Sequence, residues 1–280
     1  MAVAQTPRSD WGSTYRLIAA EKWKAKSAAM GRDVTEAIVD YASPQAGMKV
    51  LDLASGTGEP AITIASKIGP DGHITALDLS AELLEIAADR ARQRGLNNIS
   101  VQQADAHQLA FANATFDLVT SRFGVMFFKD VVGALREANR VLKLGGRACF
   151  LAWGPFEQPY WETMMGIVVK HVGGPALVPG GPDPFRFAQR GSLSSALRQA
   201  GFNDIDEQIK RVPWAWDGSA EEVWEYARSI STPFLPLLER VPADKWDAIN
   251  REVYAAVNHY REGESIRFGA WVVLGSGKKT

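Results

Sequence analysis

Val50-Leu51-Asp52-Leu53-Ala54-Ser55-Gly56-Thr57-Gly58 is an apolar run that closes on two glycines one residue apart. It reads as a buried strand of a parallel sheet opening into a tight turn, since glycine lets a backbone double back and approach a ligand closely. A helix should follow, because Pro60 suits a first helical turn and Gly69 suits the C-terminal cap. Outward from this unit, short apolar runs near residues 49–54, 73–78, 99–103, 116–121 and 147–153 alternate with helical patterns. That alternation predicts a doubly wound α/β domain with a parallel sheet covered by helices. Ser80 is the expected N-cap of a helix with Leu83, Leu84, Ala87 and Ala91 on its apolar stripe. A further helix should start near Asp130 and end before Leu144-Gly145-Gly146 turns into a strand.

Four regions follow. Residues 1–47 are expected to form an N-terminal helical lid, with two helices over 13–42 broken around Gly31-Arg32-Asp33, and residues 48–153 the ligand-binding core. Residues 154–190 read as a loop-rich insert, marked by Gly173-Gly174-Pro175 and Pro179-Gly180-Gly181-Pro182. Residues 191–280 should return to the sheet: a helix at about 191–200, a strand from near Ile205, a helical substrate cap over 219–261 and a last strand at about 266–274.

Bulk properties narrow the function. The 280 residues are 46% hydrophobic and carry 31 basic against 32 acidic side chains, so nothing in the charge favours nucleic acid. A single cysteine, Cys149 in Arg147-Ala148-Cys149-Phe150-Leu151, excludes an intrachain disulfide and reads as a buried strand residue. The N-terminus lacks the apolar run of a signal peptide and no segment reaches the roughly 18 apolar residues of a membrane span. A cytoplasmic monomer or homodimer acting on a small molecule is the expectation.

In a doubly wound sheet the ligand lies beyond the carboxyl ends of the strands, beside the first loop. Asp78 closes the next strand, 20 residues past Gly58, where a carboxylate can accept both hydroxyls of a ribose. Gly56-Thr57-Gly58-Glu59-Pro60-Ala61 also satisfies the G-x-G-x-x-A dinucleotide fingerprint, so a nicotinamide-dependent oxidoreductase is an alternative. Asp52, within the strand, and Glu59, directly after the second glycine, place negative charge where a pyrophosphate is disfavoured and a sulfonium zwitterion is tolerated. No Tyr-x-x-x-Lys pair follows the fourth strand, as an oxidoreductase of the short-chain type would require.

The chain resembles class I S-adenosylmethionine-dependent methyltransferases, in the branch of the quinone-ring C-methyltransferases of ubiquinone and menaquinone synthesis. The resemblance covers roughly residues 45–155. It rests on the Val50–Gly58 run, Ala76-Leu77-Asp78-Leu79-Ser80, Gln103-Ala104-Asp105-Ala106, Phe116-Asp117-Leu118-Val119-Thr120-Ser121-Arg122-Phe123-Gly124 and Arg140-Val141-Leu142-Lys143-Leu144-Gly145-Gly146-Arg147, in register. It implies a Rossmann-like doubly wound sheet, mostly parallel with an antiparallel last strand, carrying the N-terminal helical lid and C-terminal helical cap as insertions. It implies S-adenosylmethionine as cofactor, bound by Asp52, the loop Ala54, Ser55, Gly56, Thr57 and Gly58, and Asp78. Leu79 would pack on the adenine, Asp105 and the Ala106 backbone would read its edge, and Ser121 and Arg122 would face the methionine part or the acceptor. Ala54 departs from a glycine common at that position in the family. Beyond Trp153 the likeness fades, and the acceptor does not carry over.

Seven of the nine tryptophans follow residue 150. Most should be core, but Trp153 and Tyr160, with Phe123, Phe156 and the lid residues Trp23 and Tyr15, are candidates for an apolar acceptor pocket facing the sulfonium. Methyl transfer needs positioning first and a base only for acceptors of high pKa, for which His259, Tyr15 and His171 are the candidates. None of the four histidines has a metal-binding companion, and no metal is expected. The leading expectation is a methyltransferase for a small aromatic or hydrophobic acceptor. Its alternatives are the oxidoreductase and a non-catalytic module that binds S-adenosylmethionine.

Overall fold

The computed structural model describes residues 22–280; Tyr15 lies outside them. In chain order the first half forms α1 (Lys24–Met30), α2 (Arg32–Ala42), β1 (Lys49–Leu53), α3 (Ala61–Ile68), β2 (His73–Asp78), α4 (Ala81–Gln93), β3 (Ile99–Gln103), β4 (Phe116–Arg122), α5 (Val131–Val141) and β5 (Leu142–Trp153). The second half adds α6 (Ile167–Val172), α7 (Ser192–Gln199), β6 (Asn203–Val212), β7 (Ala215–Asp217), α8 (Ala220–Ile230), α9 (Trp246–Asn258), β8 (Arg261–Glu262), β9 (Ser265–Arg267) and β10 (Ala270–Lys278).

β1 sits at the reversal point of a seven-stranded sheet of order β3-β2-β1-β4-β5-β10-β6. It pairs in parallel with β2 and β4, and Val50, Leu51 and Leu53 are fully buried because helices cover both faces. β10 runs antiparallel to both neighbours, as expected of the last strand. Local signals hold the frame in place. The Ser80 hydroxyl accepts the Leu83 N–H, the Asp130 carboxylate accepts the Gly133 N–H, and each cap contributes about 1 kcal/mol. Asp117 accepts the Lys49 N–H at 2.8 Å and pairs with Lys143 at 2.7 Å, tying together the starts of β1, β4 and β5. Arg147 donates to the Tyr41 carbonyl and the Ser276 hydroxyl, pinning α2 to β10. Cys149 is fully buried, and burial pushes its thiol up to about 12.

Three expectations shift. β5 begins at Leu142, because residues 143–146 loop out as an irregularity between the pairs Phe116–Leu142 and Leu118–Arg147. The last strand is two: β9 joins a small sheet β7-β9-β8, and β10 starts after Gly269, whose φ of +68° turns the chain between them. Residues 154–190 are not loop throughout, since residues 159–172 are helical with a π-turn at Glu162–Gly166.

Candidate functional site

The carboxyl ends of β1 to β5 open on one cavity of about 620 Å³, within the ~300–1,000 Å³ range of small-molecule sites. The sheet order fixes its layout. The ends of β2 and β3 supply Asp78, Leu79, Asp105 and Ala106 on one side, the loop after β1 supplies Ala54, Ser55, Gly56 and Thr57 at the centre, and the ends of β4 and β5 supply Arg122, Phe123 and Trp153 on the other.

On the first side, Asp78 is nearly buried and accepts the Gly56 N–H at 2.8 Å with one oxygen and the Ser80 N–H at 2.9 Å with the other. Each oxygen keeps a lone pair, enough for two hydroxyls of a ribose. Gly56 and Gly58 both have positive φ, and a β-carbon on Gly58 would lie 2.5 Å from the Ile62 side chain. Gly58 therefore sets the packing of α3, while Gly56 borders the cavity. Ala54 stands at φ +54°, the left-handed region that glycine adopts without strain.

Leu79 is exposed at 45%, a flat apolar face at the cavity wall. Asp105 is oriented by His107, two residues further along the chain. The His107 N–H donates to the Asp105 carboxylate at 2.9 Å, and its Nδ1 lies 2.5 Å from the same oxygen. His107 Nε2 accepts the Asp130 N–H at 3.1 Å, so the ring proton sits on Nδ1 and is donated to Asp105. Partial desolvation works to raise the Asp105 pKa, but the bonds from His107 outweigh it and hold the carboxyl below its usual range.

Asp52 and Ser121 do not border the cavity. Asp52 is fully buried beneath the loop, where Oδ1 accepts the Thr120 hydroxyl at 2.7 Å and Oδ2 has no partner among the described residues. Burial pushes its carboxyl up to about 7 against the opposing influence of the nearby Ser55 and Thr120 hydroxyls. Ser121 donates to the Leu53 carbonyl at 2.7 Å and fastens β4 to β1. Glu59 does border the cavity, yet its charge is offset: one oxygen pairs with Arg94 at 3.1 Å and the other accepts the Thr63 hydroxyl at 2.7 Å. Arg122 contributes a cation. Its guanidinium makes two long bonds, to the Glu59 carbonyl at 3.3 Å and the Gly31 carbonyl at 3.4 Å. Burial lowers its pKa while the charges of Glu59 and Asp52 support it.

The far side is aromatic. Phe123, held at φ +58°, stacks on Trp153 with ring centroids 4.4 Å apart, and Trp153 lies parallel to Tyr160 at 6.1 Å. Trp161 and Trp214 meet Trp153 edge-on at 5.3 and 5.1 Å, and Tyr226, Ser231 and Phe234 complete the wall. Of these, Tyr226, Ser231 and Phe234 carry no sequence signal, since only the tertiary fold brings the start of the cap to the strand ends.

Four candidates fall elsewhere. Trp23 is buried edge-on against Trp216 at 5.3 Å, outside the cavity lining, so its large ring packs α1 onto β7. His259 sits at the exposed C-terminal end of α9 with Nδ1 bonded to the Ala255 carbonyl at 2.8 Å, and it has no place in the lining. His171 is held by Glu252 at 2.8 Å and also lies outside. Phe156 packs against Phe185 and Phe234 behind the wall.

A sheet of this order, with an acidic residue closing β2 and a glycine loop after β1, is the frame in which α/β proteins hold nucleoside-bearing ligands at their strand ends. The chain belongs to the ubiE/COQ5 methyltransferase family, whose profile matches residues 27–172. It is 34% identical over 172 residues to the ubiquinone/menaquinone biosynthesis C-methyltransferase UbiE of Bdellovibrio bacteriovorus, covering 60% of this chain and 71% of that one. It is 34% identical over 128 residues to the demethylmenaquinone methyltransferase of Listeria welshimeri, covering 46% of this chain and only 54% of the Listeria protein. Among solved structures, the YcgJ protein of Bacillus subtilis superposes with a TM-score of 0.56 at 21% identity, covering 88% of this chain and 97% of that one. The [4+2]-cyclase SpnF superposes at 0.54 and 22% identity, covering 88% and 80%. At these identities the structures share the fold.

Proposed function

We propose that the protein transfers a methyl group from S-adenosylmethionine to a small aromatic or hydrophobic acceptor. The observation that supports this best is the single cavity joining a nucleoside end, built by Asp78, Leu79 and Asp105, to an aromatic lobe built by Phe123, Trp153 and Tyr160. The donor residues fit. Asp78 has lone pairs for the ribose, the Leu79 face and the Asp105 carboxylate suit a base and its amino edge, and the Arg122 guanidinium suits an α-carboxylate. Asp52 and Ser121 act beneath the loop as positioning residues. When bound, S-adenosylmethionine supplies an already activated methyl group. The protein's part is to hold the acceptor in line with that methyl and to exclude water, effects that together account for several kcal/mol of a barrier. The faces of Phe123 and Trp153 give a sulfonium a favourable neighbour.

The family match ends at residue 172, whereas Trp214, Tyr226, Ser231 and Phe234 lie beyond it. Part of the wall that would shape the acceptor thus lies beyond the family match. The contrasting reading is a module that binds the donor without transferring its methyl group, since a shared fold does not by itself fix an activity. Incubation with methyl-labelled S-adenosylmethionine and a metabolite extract separates the two. A labelled small molecule is expected, with Asp78→Ala lowering kcat/KM at least tenfold, about 1.4 kcal/mol. No labelled product across extract, phenols, amines and thiols would favour the module.

A further inference from the structure

Among the described residues, which include all four histidines, only His107 brings an imidazole to the cavity wall. Both of its ring nitrogens are committed: Nδ1 lies 2.5 Å from Asp105 Oδ1, and Nε2 accepts the Asp130 N–H at 3.1 Å. The second anchor is itself held, since Asp130 caps α5 and its carboxylate accepts the Gly133 N–H at 2.9 Å. Phe128, also at the cavity wall, meets the imidazole edge-on at 5.9 Å. The ring is therefore fixed between the turn after β3 and the start of α5, with its proton directed at Asp105.

This arrangement divides the work of the Asp105 carboxylate. Both bonds from His107, the backbone N–H at 2.9 Å and the ring N–H, fall on Oδ1. Asp105 is half-exposed at the cavity wall, so Oδ2 is the oxygen left for a ligand. A half-exposed carboxylate without a brace swings between rotamers, and a ligand that needs one of them loses affinity to the ordering. Against the partial desolvation that raises it, the same two bonds hold the carboxyl below its usual range, so Asp105 stays ionised and can only accept. A fixed oxygen that can only accept favours an N–H group over a carbonyl or a C–H.

Building on the assignment of Asp105 to the base of the donor, we infer that His107 is a positioning residue: it fixes Asp105 Oδ2 for the 6-amino group of the adenine and so sets how sharply the donor site distinguishes a 6-aminopurine from purines without that group. Its effect passes through Asp105. The two faces of its role are separable, because Nδ1 serves Asp105 while Nε2 serves the start of α5.

Calorimetric titration of the full chain with S-adenosylhomocysteine, and with its analogue carrying hydrogen in place of the 6-amino group, tests this. The wild-type protein should bind the amino compound about tenfold more tightly, the scale of one hydrogen bond to a charged group. His107→Gln keeps an oxygen where Nε2 accepts the Asp130 N–H but loses the proton given to Asp105. It should weaken S-adenosylhomocysteine about tenfold and leave the analogue unchanged, a selective loss that general damage to the fold would not produce. His107→Asn, whose amide nitrogen takes the place of Nδ1, should restore the preference. Nitrogen NMR of the wild-type ring needs no variant and should find the proton on Nδ1. A preference that survives in His107→Gln, an equal loss for both ligands, or a ring proton on Nε2 overturns the inference. Absence of any preference in the wild-type protein would instead sink the reading of Asp105 as the partner of the base, and absence of S-adenosylhomocysteine binding would sink the donor assignment itself.

Discussion

Asp52 is a carboxylate with one hydrogen-bonded oxygen and one orphan, fully buried under the loop it supports. Its pKa of about 7, set mainly by burial, makes folding pH-dependent. In the unfolded chain the group titrates near its ordinary value of 3.8, so between roughly pH 4 and 7 the folded state holds the extra proton. Stability is greatest below that window and falls as pH rises through it, by something on the order of 4 kcal/mol, with no further loss above. Asp52→Asn should remove this component. The difference between wild-type and variant urea stabilities should slope between pH 4 and 7 and flatten beyond, whereas parallel profiles would contradict the assignment. The sequence placed Asp52 among the residues that bind the donor. Its burial could not be read from the sequence, because it depends on how Thr120 and the loop close over it.

Strand β10 shows how the elements are fitted. A β-carbon on Gly275 would lie 2.4 Å from Leu193 Cδ2, and one on Gly277 2.7 Å from Phe202 Cβ, so these glycines let α7 and the chain after it rest directly on the sheet. Gly275→Val should overpack this contact and cost about 1–3 kcal/mol in urea denaturation. Because Gly275 lies outside the cavity lining, affinity for S-adenosylhomocysteine should not change. Elements with strong local signals were legible: β2 and β3 match their expected limits, and Ser80 and Asp130 cap the helices they announce. Where the outcome depended on pairing partners, the sequence misled. The apolar run across 266–274 looks continuous, yet it splits at Gly269 because β9 pairs with β7 while β10 pairs with β5 and β6.

Across the whole molecule, the two ends of the cavity differ in how far they can be read from the chain. The nucleoside end comes from the ends of consecutive strands, β1 to β3, so spacing along the sequence is nearly spacing along the sheet. The aromatic end gathers Phe123, Trp153, Tyr160, Trp214 and Phe234 from separate segments, and no periodicity links them. Helix α1 joins the two halves. Ser27 and the following Gly31 border the cavity, while Lys22 and Lys26 pair with Glu225 and Glu222 on α8. Everything proposed for the acceptor depends on the donor occupying the nucleoside end, so binding there is the decisive measurement. Calorimetric titration of the full chain with S-adenosylhomocysteine and, separately, with NAD is expected to give micromolar binding of the first and none of the second. Binding of NAD without S-adenosylhomocysteine would contradict the account.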